Sequence, residues 1–247
     1  MKANPKLSKA GKMPCKSWSL PAFYSCPGSV NDNASYSGYL KDWNSFQDSM
    51  QKDDRVPTCS GCYAMTGNYC FNNVKSVREH NLEDWKNDRW VNAMRKLIKD
   101  DRYFRFFDSG DIYCVELAEK IYRLCKSLPD TTFWIPTLSW KIKEIDKVLT
   151  KIRMLPNVTV RHSTGTIRYT GEPAINLFPI GGNISSVVTP EFAATEKAKG
   201  KYKLVCQAYS RDGKCGDCRA CWDRRIDTIF YPAHGMSLKS KVKQLEV

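Results

Sequence analysis

Cysteines in C-x-x-C spacing are the residues of this 247-residue chain best suited to chemistry. Cys206, Cys215, Cys218 and Cys221 supply four thiols within a short stretch whose Gly- and Asp-rich turns let them converge. Four thiolates suit tetrahedral zinc and equally suit an iron–sulfur cluster, with structural zinc preferred. His234 can stand in for one of them. Arg211, Lys214, Arg219, Arg224 and Arg225 surround the group, and nearby cations favour the thiolate form that binds metal. A second group, Cys26, Cys59, Cys62 and Cys70, offers three or four ligands for another metal or cluster. Cys15, Cys114 and Cys125 stand apart, and the last two read as core packing on a helix.

The other candidates are acids, bases and small residues. Asp108 follows an aromatic run, Tyr103-Phe104-Arg105-Phe106-Phe107, where a carboxylate can act as base or nucleophile. Asp111 lies three residues on and reads mainly as a helix cap, with a catalytic role as the alternative. His162, between Arg161 and Ser163, suits phosphate binding or proton transfer near neutral pH. Ser109, Gly110, Ser139, Trp140, Arg161, Gly181 and Gly182 are read as substrate-binding positions. Trp140 offers a ring for base stacking, whereas Trp134 reads as core.

Elements that would position these residues are legible from periodicity. Residues 72–100 read as helical. Strands are expected at 103–107, 132–137, 158–160 and 175–180, with helices at about 112–127 and 141–153. Strands alternating with helices imply right-handed β-α-β units and a parallel sheet. The expected fold is therefore α/β, a complete or partial parallel β/α barrel with cysteine-rich metal-binding additions. It is read as one domain: a loop-rich cysteine-containing part (1–71), a β/α core (72–200) and a cysteine-rich part (201–247). Chemistry in such folds collects where strands end, here at 108–111, 138–140, 161–165 and 181–183.

Composition narrows the partners. Lys and Arg number 39 against 26 Asp and Glu, for a formal charge of +13. That surplus attracts polyanions, and an aromatic content of 12 % can supply base stacking. Nucleic acid is the expected partner. No apolar run is long enough to span a bilayer and no secretory signal is read, so a cytoplasmic location without membrane contact is expected. Eleven cysteines in that setting argue for metal rather than disulfides.

Through Cys26-Pro27-Gly28, Cys59-x-x-Cys62-Tyr63-Ala64, Asp108-Ser109-Gly110-Asp111 and the Cys215–Cys221 run, the chain resembles small phage-encoded DNA-modification proteins. It looks compatible with the DpdA-like 7-deazaguanine DNA transglycosylases, relatives of the tRNA-guanine transglycosylases. That resemblance implies a β/α barrel, an active-site aspartate at Asp108, and zinc on Cys215, Cys218, Cys221 and His234. It further implies a glycosyltransferase that exchanges guanine in double-stranded DNA for a 7-deazaguanine base and so protects a phage genome from restriction in the host cytoplasm. The family's second aspartate has no clear counterpart, and its zinc spacing begins C-x-C where this chain has C-x-x-C.

Cys59-x-x-Cys62-Tyr63-Ala64 also resembles the end of the radical S-adenosylmethionine motif, with Cys26 displaced by an insertion. This second resemblance implies a 4Fe–4S cluster with S-adenosylmethionine. A zinc-stabilised nucleic-acid-binding protein without catalysis is the third expectation.

Overall fold

The computed structural model describes residues 2–9, 11–22, 24–26, 55–168 and 182–233. The expected strand at 175–180, together with Gly181 and His234, lies outside the described residues. The strands are β1 (Lys16–Trp18), β2 (Arg55–Pro57), β3 (Tyr103–Phe106), β4 (Thr132–Thr137), β5 (Val158–Ser163), β6 (Thr166–Arg168), β7 (Asn183–Val188), β8 (Lys203–Val205) and β9 (Thr228–Pro232). The α-helices are α1 (Asn72–Asp84), α2 (Trp90–Ile98), α3 (Val115–Lys126), α4 (Lys143–Arg153) and α5 (Pro190–Ala194).

Seven strands form one sheet in the order β1-β3-β4-β5-β7-β9-β8, every neighbouring pair parallel. The fold is therefore α/β, as expected. The sheet is unclosed among the described residues, with β1 and β8 at its edges, an arrangement consistent with an incomplete barrel. β2 and β6 pair separately and antiparallel. No helix among the described residues is long and apolar enough to cross a membrane.

Alternation along the central strands separates the two faces. Phe104, Phe106, Phe133, Ile135, Val158 and Val160 pack with Leu117, Ile121 and Leu124 of α3 and Val148, Leu149 and Ile152 of α4. Each fully buried side chain of this size contributes about 1.5–3 kcal/mol, so this face carries the main core. The alternate positions Arg105, Trp134, Thr159 and Arg161 face the other way. They are covered by the crossover between β8 and β9, which carries the C-terminal cysteines. Thr159 donates to the Trp222 carbonyl, and Trp222 Nε1 donates to the Phe104 carbonyl at 3.0 Å.

Several expected boundaries move. The helical stretch expected at 72–100 is broken into two helices, and Lys120 reaches across the break to donate to the carbonyls of Trp85, Lys86 and Asn87. Those carbonyls lie just past the end of α1, where a helix leaves its last acceptors unpaired. The β3 strand stops at Phe106, since Phe107 adopts φ 60°. β5 runs on through Arg161, His162 and Ser163, which are strand residues rather than a loop. Gly182 directly precedes β7 and so lies at the amino end of that strand. Asp111 does not cap a helix: α3 begins at Val115 with Cys114 at its N-cap. Cys125 is buried in the helical core as expected, and Cys114, at the helix start, is partly buried against the same core.

Candidate functional site

The Asp108-Ser109-Gly110 turn leaves β3 at its carboxyl end and receives two segments that are remote in sequence. From the β1 side, Ser19 Oγ accepts from the Asp108 N–H at 3.0 Å, Leu20 N–H donates to the Ser109 carbonyl, and Ser109 Oγ donates to the Leu20 carbonyl. Gly110 has φ +76°, and a Cβ there would lie 2.5 Å from Ser25 Oγ and 2.7 Å from Leu20 Cβ. Glycine is thus required on two counts, conformation and space. Cys26 follows Ser25 directly in this docked stretch.

The second segment holds Cys59, Cys62 and Cys70. Tyr63 donates to the Asp108 backbone carbonyl at 2.6 Å, and Tyr69 donates to Asp108 Oδ2 at 2.8 Å. Cys62 N–H donates to the Cys59 carbonyl at 3.2 Å, closing a 3₁₀ turn. Side chains three residues apart eclipse in such a turn, so the two thiols fall on one side. Burial raises the Cys62 thiol above its ordinary pKa, and the N–H groups of Ala64 and Met65 oppose this by favouring the thiolate. The exposed Cys70 thiol turns to the Met65 carbonyl at 3.2 Å.

Asp108 itself is committed. Arg105 Nη1 pairs with Oδ1 at 3.0 Å, and Arg78 Nη2 lies 3.8 Å from Oδ2. Arg78 also donates to Ser109 Oγ and stacks 4.8 Å from the Tyr69 ring centroid. Burial opposes the Arg105 charge, but Tyr63 and Asp108 outweigh it and hold the guanidinium above its usual range. The Tyr63 side chain is partly exposed but its hydroxyl is enclosed against Asp108, and that burial, partly offset by Arg105, pushes the hydroxyl up to about 12.

Asp111 bridges to the end of β4, accepting from Thr137 Oγ1 at 2.6 Å and from the Leu138 and Ile112 N–H groups at 2.7 Å. Burial lifts its pKa to about 6 against those bonds. The Ser139 N–H donates back to Thr137 Oγ1. Trp140 and His162 meet edge-to-face at 6.0 Å, and the Trp140 Nε1 donates to the Ser163 carbonyl. His162 Nε2 lies 2.9 Å from Arg153 on α4, so this ring faces the helix layer and not Asp108. Burial and then Arg153 lower its pKa to about 4, and Gly182 leaves the space its ring occupies.

Arg161 is fully buried on the opposite face. It donates to the carbonyls of Ala220, Cys221, Asp223, Ile226 and Ile184, clamping the cysteine-bearing crossover rather than a phosphate. Within that crossover, Cys218 N–H donates to the Cys215 carbonyl at 3.1 Å, a second C-x-x-C turn. Cys221 Sγ lies 3.3 Å from the Tyr231 hydroxyl. Burial raises the Cys206, Cys215 and Cys221 thiols, neighbouring cysteines add to the rise, and Lys12 opposes it at Cys206 and Cys215. Among the described residues no three Cys, His, Asp or Glu side chains stand at a common ligating distance.

Sequence reading missed Tyr63, Tyr69, Arg78 and Arg105. A lone arginine inside an aromatic strand was a usable signal for the last. Lys12 Nζ lies 5.6 Å from the Tyr63 ring centroid, so the N- and C-terminal cysteine groups share a neighbour.

The family model described as Gene product 88 matches residues 1–224. No curated protein and no solved structure matches the chain.

Proposed function

The chain belongs to the Gene product 88 family, and from that premise we propose that it is an iron–sulfur enzyme that modifies nucleic acid. The supporting observation is the shared dock: the stretches bearing Cys26 and Cys59–Cys62 both rest on the Asp108-Ser109-Gly110 turn. Three cysteines carried to one strand end would supply thiolates to a 4Fe–4S cluster once its uptake draws their sulfurs together. Such a cluster supplies one-electron chemistry to bound S-adenosylmethionine.

The remaining roles belong to the chain. Asp108 anchors the cysteine-bearing roof through Tyr69 and neutralises Arg105. The N–H groups of Ala64 and Met65 favour the Cys62 thiolate. Tyr24, Tyr63 and Phe71 are exposed in the two docked segments and offer rings for base stacking. The formal charge of +13 favours a phosphate backbone as partner. The four C-terminal cysteines are assigned a separate, structural zinc.

A second reading, exchange of guanine in DNA for a 7-deazaguanine base, draws support from a buried aspartate at the carboxyl end of β3. It needs Asp108 as a nucleophile or base, yet both carboxylate oxygens are already engaged.

Protein purified without oxygen is expected to be brown, with about four irons per chain for one such cluster. Cys59→Ala and Cys62→Ala should each remove the colour, and the reduced wild type should consume S-adenosylmethionine when nucleic acid is added. A colourless protein that carries zinc alone and incorporates a 7-deazaguanine into DNA would overturn the iron–sulfur reading in favour of base exchange.

A further inference from the structure

On the sheet face away from the helices, Arg105 and Trp134 hold paired positions of β3 and β4. The guanidinium carbon lies 4.5 Å from the indole centroid. Their relative exposures are 7 % and 6 %. Arg105 Nε and Trp134 Nε1 are nevertheless buried without a hydrogen-bond partner among the described residues. A buried donor left unpaired costs free energy, and a charged one costs more. Two such donors side by side indicate acceptors that belong next to them.

The layer over this point is rich in sulfur. Met13, Cys15 and Trp222 pack with Trp134, and Cys215 and Cys221 lie against the same cluster. Cys215 Sγ is 3.8 Å from Met13 Sδ, and the Cys215 N–H donates to the Lys12 carbonyl at 3.0 Å. The run 12–15 is therefore laced to the C-terminal cysteines although it opens the chain. Burial raises the Cys15, Cys215 and Cys221 thiols above their ordinary range, and the Arg105 guanidinium opposes that rise at each of them. A neutral thiol is a weak acceptor, whereas a metal-bound thiolate takes N–H donors well, and such outer partners tune metal sites. Arg78 and Arg105 also share the single carboxylate of Asp108, which leaves positive charge for an anionic centre to balance.

We infer that Cys15 is a ligand of the same divalent metal as Cys215 and Cys221, with Arg105 and Trp134 donating N–H groups to the bound sulfurs. The inference rests on the assignment of zinc to the C-terminal cysteines and replaces one of those four ligands with Cys15, from a segment remote in sequence. Cys206 or Cys218 completes the tetrahedron. Each ligating thiol releases its proton to solvent, and the electron pair left on sulfur forms the metal–sulfur bond. Uptake must draw the sulfurs together, which the short turns at 12–15 and 215–221 permit.

The test uses the full chain in a Cys59→Ala, Cys62→Ala background, stripped of metal and titrated with Co2+ and then Zn2+. Cys15→Ser should lower the Co2+–thiolate charge-transfer band by about a quarter, one sulfur of four, and weaken Zn2+ binding at least about tenfold. Trp134→Phe should keep the band but weaken binding several-fold, while Cys125→Ala changes neither. If Cys15→Ser fails to fold, alkylation of the background protein in mild urea decides: Zn2+ should shield Cys15. Equal bands and affinities in Cys15→Ser, or equal alkylation of Cys15 with and without Zn2+, would overturn the inference while leaving the C-terminal zinc standing. A background protein that takes up neither ion removes both.

Discussion

Tyr69 donates its hydroxyl hydrogen to Asp108 Oδ2 at 2.8 Å across 39 residues of sequence, pinning a cysteine-bearing segment onto the end of β3. The other carboxylate oxygen is held by Arg105 at 3.0 Å. One aspartate thus fastens a roof on one side and neutralises a buried cation on the other.

Asp108→Asn keeps the shape and an acceptor for Tyr69 but leaves Arg105 without its counter-charge. Removing one partner of a buried pair costs about 3–5 kcal/mol. Urea denaturation should show a loss of that size, together with faster proteolysis within 58–71. A loss under about 1 kcal/mol, the range of exposed pairs, would mean the pair is not buried in solution. Under base exchange the same variant would instead lose base incorporation with DNA binding retained.

Gly110→Ala places a methyl group against Ser25 and Leu20 at a positive φ. The 20–26 stretch should lift from the turn, so iron content falls by more than half while far-ultraviolet circular dichroism stays native. Unchanged iron would show that Cys26 does not depend on this dock.

Asp111 and His162 set opposing pH slopes. With the Asp111 pKa lifted from 3.8 to about 6 by burial, the folded chain holds more protons than the unfolded one across that window, and stability falls as pH rises through it. With the His162 pKa lowered from 6.5 to about 4 by burial and Arg153, the unfolded chain holds more, and stability falls as pH drops from about 6.5 to about 4. Each unit of separation is worth about 1.4 kcal/mol. Relative to wild type, His162→Gln should therefore lose stability on going from pH 4 to pH 6, and Asp111→Asn should gain it. Urea midpoints at those two pH values check both signs, and parallel curves for all three proteins would refute the assignment.

Arg161→Met strands the carbonyls of Ala220, Cys221, Asp223 and Ile226. Unsatisfied buried acceptors cost about 1–3 kcal/mol each. We expect a destabilisation of at least about 3 kcal/mol and weakened metal retention by the neighbouring cysteines. A phosphate-binding Arg161 would instead give near-native stability with a reduced salt dependence of nucleic-acid binding.

Much of the fold was legible locally. Thr132–Thr137 was read to its ends, and the apolar face of 143–153 followed from helical spacing, because both signals reside in neighbouring residues. β1 was missed: its three residues carry little periodicity, and what makes them a strand is pairing with residues 104–106. β9 likewise has its partners elsewhere in the chain. Of the candidate site, the cysteines, the Asp-Ser-Gly turn and the nearby Arg105 lay in one local stretch or motif, but the full set of partners that commits Asp108 was not legible, since Arg78 and the tyrosines arrive from other elements.

By itself, then, the sequence determined an α/β chain of alternating strands and helices, a strong positive charge and thiols in metal-binding spacing, all properties of composition and short-range period. Tertiary structure alone decided that His162 turns to the helix layer and that Arg161 clamps a crossover. It also decided that Met13 comes within 3.8 Å of Cys215, 202 residues away. The reason is physical: a strand's register selects which of its two faces a residue joins, and only the closed sheet brings distant segments to the same face.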